Sequence, residues 1–251
     1  MSAAALIVLI IVVFLTTVIG VVTGSNSLIV VPVMFQVGVP PKTAVATNMF
    51  GLTFMAIGAT IPFVRQGRIE YRRISPLVVL TVISSAIGAA LVGLITDDGI
   101  KLIVSIAMIL VAVFTLVKRD KGVVKGSVSR AALFATFIAA FLLGIYGGLY
   151  SGGYVTILTA ALVAFFGMTF SEAVASTKFI NIFSSLVATM VFARQGLIDY
   201  KLGLILAATM FTGAYIGAHY AAKLNDLWLK RIFLATVFLL ALKTIYDFAA
   251  N

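Results

Sequence analysis

Eight long apolar stretches lie almost end to end in this 251-residue chain, at about 4–37, 42–64, 75–96, 99–117, 131–166, 171–193, 202–222 and 228–247. A helix needs about 20 predominantly apolar residues to cross a hydrocarbon layer about 30 Å thick. The connections of ten or so residues leave no room for a water-soluble domain. Charged residues make up 10% of the chain, against about a quarter in a soluble domain. The expected fold class is therefore an all-α polytopic membrane protein of about eight transmembrane helices. Residues 4–37 lack a basic leading region and a small-residue cleavage site followed by polar sequence, so they read as a retained helix. Cysteine is absent, which excludes disulfides and thiolate metal sites.

The chain repeats itself. Ala44–Tyr71 and Ala173–Tyr200 match at 13 of 28 positions with a constant offset of 129 residues, which marks an internal duplication. Around it, residues 1–117 form one expected four-helix repeat and 131–251 a second. The cation-rich segment 118–130 is the cytoplasmic linker between them. Each repeat opens on a segment too long for one straight crossing. Residues 4–37 as one helix would reach about 51 Å at 1.5 Å per residue. Gly20–Ser27 and Gly144–Gly153 are the natural breaks, because glycine, serine and asparagine weaken helical backbone. Irregular backbone at membrane depth survives only where protein or a watery cavity surrounds it. Four crossings per half would make the repeats parallel, which is the preferred arrangement; five would invert them. Gly51, Gly58, Ser84, Gly88, Gly213 and Gly217 have the small-residue spacing that lets membrane helices touch.

Within 171–193 one face is polar. Thr177, Lys178, Asn181, Ser184, Ser185 and Thr189 fall within about 140° of a helical wheel at 100° per residue. A lysine near mid-helix costs about 2.5–3.5 kcal/mol on insertion scales, and such a group faces a bundle interior or an aqueous route. Lys178 is thus a candidate anion ligand about 10 Å in from the outer end of its helix, at 1.5 Å per residue. Asn181 and Thr177 flank it, and Thr47 and Asn48 are the repeat counterparts, with Met49 at the lysine position. The alternative is a lysine whose stem snorkels to the interface while the hydroxyls bond their own helix. All eight carboxylates fall at segment ends or in loops, so no mid-membrane carboxylate serves as a proton or sodium relay. His219, the one histidine of the chain, is the one coupling candidate. One histidine and no cysteine build no metal site. With no nucleotide motif, nucleophile elbow or paired carboxylates, an enzyme is not expected, nor a cofactor.

The net charge of +10 reads as topology signal rather than nucleic-acid affinity. Twelve cations, in loops 65–73, 118–130 and 194–201 and at Lys243, stand against Lys42, Lys101, Lys223, Lys230 and Arg231. That balance places those loops and both termini in the cytoplasm.

These features resemble the sulfite exporter TauE/SafE family. The similarity rests on G-S-N-S-L-I-V-V-P (24–32), G-V-P-P-K-T-A-V-A-T-N (38–48), S-G-G-Y (151–154) and A-S-T-K-F (175–179), in that order and duplicated. The family has two four-helix repeats, each with a glycine-rich break in its first helix. The resemblance implies a bacterial-type inner-membrane exporter of a small anion such as sulfite, a sulfonate or a sulfur-containing organic acid. Ser25, Asn26, Ser151, Gly152 and Gly153 would then add backbone and side-chain donors to the substrate site. Ser25, Asn26 and Ser27 stand where the family usually has glycine. Proton-coupled uptake through His219, or a membrane assembly protein without flux, are the competing readings. The expected partners are the small anionic substrate and the lipid bilayer.

Overall fold

The structure is a computed structural model that describes residues 2–24, 26–117, 129–225, 227, 228 and 231. Ser25, residues 118–128 of the linker and most of the expected last helix at 228–247 lie outside the described residues, as do Asp226, Lys230, Lys243 and Asp247. The described residues form nine helices: α1 (Ala3–Thr23), α2 (Ser27–Gln36), α3 (Pro41–Arg65), α4 (Tyr71–Val92), α5 (Asp97–Val117), α6 (Arg130–Leu149), α7 (Tyr154–Phe165), α8 (Phe170–Arg194) and α9 (Tyr200–Ala221). Six of them, α1, α3, α4, α6, α8 and α9, are long and apolar enough to cross a membrane. The protein is a multi-pass helical membrane protein.

Local chemistry sets the ends. Ser129, Thr169 and Asp199 accept from the first-turn amides of α6, α8 and α9, and Thr169 with Glu172 closes a capping box. Pro41 opens α3; proline's missing N–H costs nothing in a first turn. Gly24 and Gly153 take left-handed φ of 71° and 79°; Gly24 ends α1 and Gly153 precedes α7, where the sequence predicted breaks.

Neighbouring residues fix the helix directions. Along α3 and α9, Thr47 meets Asp199, Gly51 meets Met210 and Leu206, Gly58 meets Phe211, and Arg65 meets Tyr215. Both numbers rise together, so α3 and α9 run parallel. By the same reading Gly213 lies at Phe14 and Gly217 at Val18, which makes α1 parallel to α9. Gly144 lies at Ser84, Gly148 at Ser85 and Gly88 at Ile145, so α6 runs with α4. Tyr71 meets Phe179 and Gly93 meets Gln195, so α8 runs with α4 as well. The small residues at these crossings let backbones touch, as their spacing predicted.

The long segments do not continue past their breaks; they turn back. Asn26 reaches back to Thr16 on α1, and Ser27 meets Asn48 on α3. Helix α2 therefore returns toward the face from which α1 entered. Helix α7 returns likewise: Thr159 meets Thr177, and Arg73 at the start of α4 donates to the Phe166 carbonyl. The α1–α2 and α6–α7 hairpins thus enter from opposite faces.

This overturns one expectation. Residues 65–71 and 129–130 share one face, here the linker face, whereas Ser2 and 194–199 lie at the other. The preferred parallel arrangement put all of them on one side. The physical reason is the extra return pass in each hairpin, which reverses everything that follows.

Candidate functional site at the hairpin tips

The two breaks meet inside the bundle. Thr156 Oγ1, at the start of α7, donates to the Thr23 carbonyl at 2.6 Å, and Tyr150 Oη donates to the Ser27 carbonyl at 3.0 Å. Gly24 packs so closely that a Cβ there would lie 2.8 Å from the Thr156 nitrogen. Both turns carry backbone polar groups that hydrocarbon cannot satisfy, and side chains of the second turn meet two carbonyls of the first. Tyr146 Oη supports the second turn by donating to the Gly152 carbonyl.

Helices α3 and α8 flank the tips. Asn48, on α3, donates from Nδ2 to Ser27 Oγ at 2.9 Å. Lys178, on α8, donates from Nζ to the Gly20 carbonyl in the last turn of α1 at 3.0 Å. The lysine is 2% exposed, so it does not snorkel. Among the described residues the ion pairs are Arg73–Glu70 and Lys101–Asp98; no carboxylate neutralises Lys178. Its hydrogen-bond acceptor among the described residues is a neutral carbonyl at a helix C-terminus, where the dipole favours a cation. Helix α8 starts on the linker face, so Lys178 sits about 12 Å in from that side at 1.5 Å per residue.

The remaining expected residues divide. Asn26 joins the tips: Oδ1 accepts from Thr16 at 2.8 Å, and Nδ2 faces the sulfurs of Met55 and Met210 at 3.5 and 3.9 Å. Thioether sulfur is a weak acceptor, so that amide keeps donor capacity. Ser151, Gly152 and Gly153 form the second turn, with the Ser151 carbonyl accepting from the Tyr154 amide. Thr177 is committed to Thr159 at 3.1 Å, and Thr47 accepts from the Asp199 amide at 3.0 Å. Asn181 is buried beside Ser184 and Ser185 on α8. His219 is exposed in the last turn of α9, apart from the tips, stacked on Tyr215. Sequence reasoning missed Thr16, Tyr146, Tyr150 and Thr156. Two tyrosines spaced by four across a glycine cluster were the available signal for Tyr146 and Tyr150.

The two broken segments thus meet inside the bundle, with the buried Lys178 bonded to the end of the first. The sequence profile described as Sulfite exporter TauE/SafE matches residues 9–244. The chain belongs to that family. A similar protein, the probable membrane transporter protein ORF9 of Sinorhizobium sp, is 26% identical over 226 residues, covering 90% of this chain and 87% of that protein. A probable membrane transporter protein of Haemophilus influenzae is 24% identical over 229 residues, covering 91% and 90%. The probable membrane transporter protein YfcA of Escherichia coli K12 is 24% identical over 226 residues, covering 90% and 84%. No solved structure matches.

Proposed function

We propose that this membrane transporter exports a small anion such as sulfite, a sulfonate or a sulfur-containing organic acid, through two inverted repeats whose hairpin tips hold the substrate. The observation that carries the reading is Lys178, an ammonium deep in the bundle with no carboxylate partner among the described residues. A buried charge without a counter-ion is costly, and an arriving anion offsets that cost. The Gly20 carbonyl then holds the ammonium between turnovers, and the Asn26 amide and Asn48 lie along the same tip. Asn48 Oδ1 and Ser176 Oγ are buried without a partner among the described residues, which leaves hydrogen-bonding capacity beside the route.

Orientation follows from charge once the helix directions are known. Arg65, Arg68, Arg72, Arg73, Arg130 and Lys223 lie on the linker face, and the sequence adds Lys118, Arg119, Lys121 and Lys125 just before Arg130. Lys42, Lys101, Arg194 and Lys201 lie on the other. The linker face is therefore the cytoplasmic one in a bacterial-type inner membrane, and Ser2 is outside. Lys178 is then reached from the cytoplasm first, as an exporter requires. A monovalent anion leaving a negative interior gains about 2.3 kcal/mol per 100 mV, close to a 50-fold gradient, without a coupled proton.

Sulfite efflux from reconstituted vesicles tests this: Lys178→Ala inserts and folds but loses flux, and unchanged flux removes Lys178 from the site. The Lys178–Gly20 bond favours one other reading, an interhelical seam in a protein without flux. In that case no sulfur oxyanion or carboxylate raises the thermal midpoint of the wild-type protein; the transporter reading expects a rise that Lys178→Ala abolishes.

A further inference from the structure

An open groove of about 470 Å³ runs between α1 and α9 on the bundle's outer surface, lined by Ile10, Ile11, Phe14, Leu15, Thr209 and Thr212. Its walls are apolar, and both threonine hydroxyls are spent on their own helix. Beyond the groove, along α9 toward the linker face, lies a polar patch. Ala208, Thr212, Tyr215 and His219 recur at helical spacing on one face of α9, and His219 stands about 10 Å beyond Thr212 at 1.5 Å per residue. There Arg65 Nη1 donates to Tyr215 Oη at 3.4 Å, and Tyr215 stacks on His219 with centroids 6.5 Å apart. Among the described residues no carboxylate pairs with Arg65. Lys223 lies over the Tyr220 ring one turn further on.

We propose that this feature binds an anionic phospholipid, one acyl chain in the α1–α9 groove and the phosphate at Arg65, Tyr215 and His219. Charge complementarity selects the occupant: the apolar walls take a hydrocarbon chain, and the cationic patch takes a phosphodiester. Basic clusters between membrane helices on the cytoplasmic side suit such headgroups, and this face carries the chain's excess of cations. The duplication gives an internal control. Tyr215 and His219 correspond, 129 positions earlier, to Ala86 and Ala90 on α4. The common scaffold therefore does not need the aromatic and the imidazole; they were acquired, or kept, in one repeat alone. This use of His219 is independent of the transport reading.

Native mass spectrometry of the full chain in detergent, with added phosphatidylglycerol or phosphatidylcholine, tests the assignment. Wild type is expected to retain phosphatidylglycerol selectively. Arg65→Gln should weaken retention about fivefold, the worth of one cation at an anionic surface. Thr212→Trp, which fills the groove, should lose the lipid with Arg65 intact. Arg194→Gln, at the matching loop on the other face, should change nothing. Equal retention of phosphatidylcholine, an equal loss in Arg194→Gln, or displacement of the lipid by glycerol phosphate alone would each overturn the proposal. If Arg65→Gln misfolds, Tyr215→Phe serves instead, since it removes only the hydroxyl that orients the guanidinium.

Discussion

At the residue scale, one lysine contrasts function with stability. Nothing in the fold needs the charge of Lys178 except the carbonyl it meets, and that carbonyl also accepts from the Gly24 amide at 2.8 Å. Losing the ammonium therefore leaves no orphaned backbone acceptor. Lys178→Met keeps the stem's volume and removes the desolvation cost, about 2.5–3.5 kcal/mol on insertion scales. We expect the variant to resist unfolding in SDS at least as well as wild type while its anion flux is lost. Asn48 differs, because its amide bonds Ser27 inside the bundle. Asn48→Leu should lower stability by about 1–2 kcal/mol by leaving the Ser27 hydroxyl short of a partner, read in the same SDS titration.

At the scale of elements, the hairpins depend on glycine at their turns and crossings. Gly24 has a left-handed φ and no space for a side chain against Val155 and Thr156. Gly24→Ala therefore combines backbone strain of about 1–2 kcal/mol with a clash between the two tips. It should impair both thermal stability and flux, whereas Gly38→Ala, also at positive φ but with open space around it, should cost stability alone. The α4–α6 crossing is tighter still: a Cβ on Gly88 would run into the Ile145 carbonyl. Gly88→Val should cost about 1–3 kcal/mol or more, as overpacking does, measured as a lower thermal midpoint.

For the whole molecule, the consequence of the two returning hairpins is testable directly, because a chain without cysteine accepts single reporters. Tyr71 and Tyr200 occupy the same position in the duplicated sequence, and both are exposed. They open α4 and α9 on opposite faces. A membrane-impermeant maleimide should label Tyr200→Cys in intact cells and Tyr71→Cys only after permeabilisation. Equal labelling of the two would contradict the inverted arrangement.

The sequence alone marked this chain as a membrane protein, placed the interruptions at the Gly24 and Gly153 clusters, and singled out Lys178, the buried cation among the described residues. Those properties follow from local composition, since hydrocarbon penalises charge and glycine weakens helix wherever they occur. Only the tertiary structure decided direction and partnership. Whether a broken segment continues or turns back depends on what meets its free carbonyls, and here Tyr150 and Thr156 come from the distant second break to meet those of Ser27 and Thr23, while Asn48 bonds the Ser27 hydroxyl. That choice of partner moved Arg194 to the face opposite Arg65, brought Lys178 to Gly20, and left Thr47 and Thr177 committed elsewhere, because a hydrogen bond between distant segments leaves no trace in the spacing of either one.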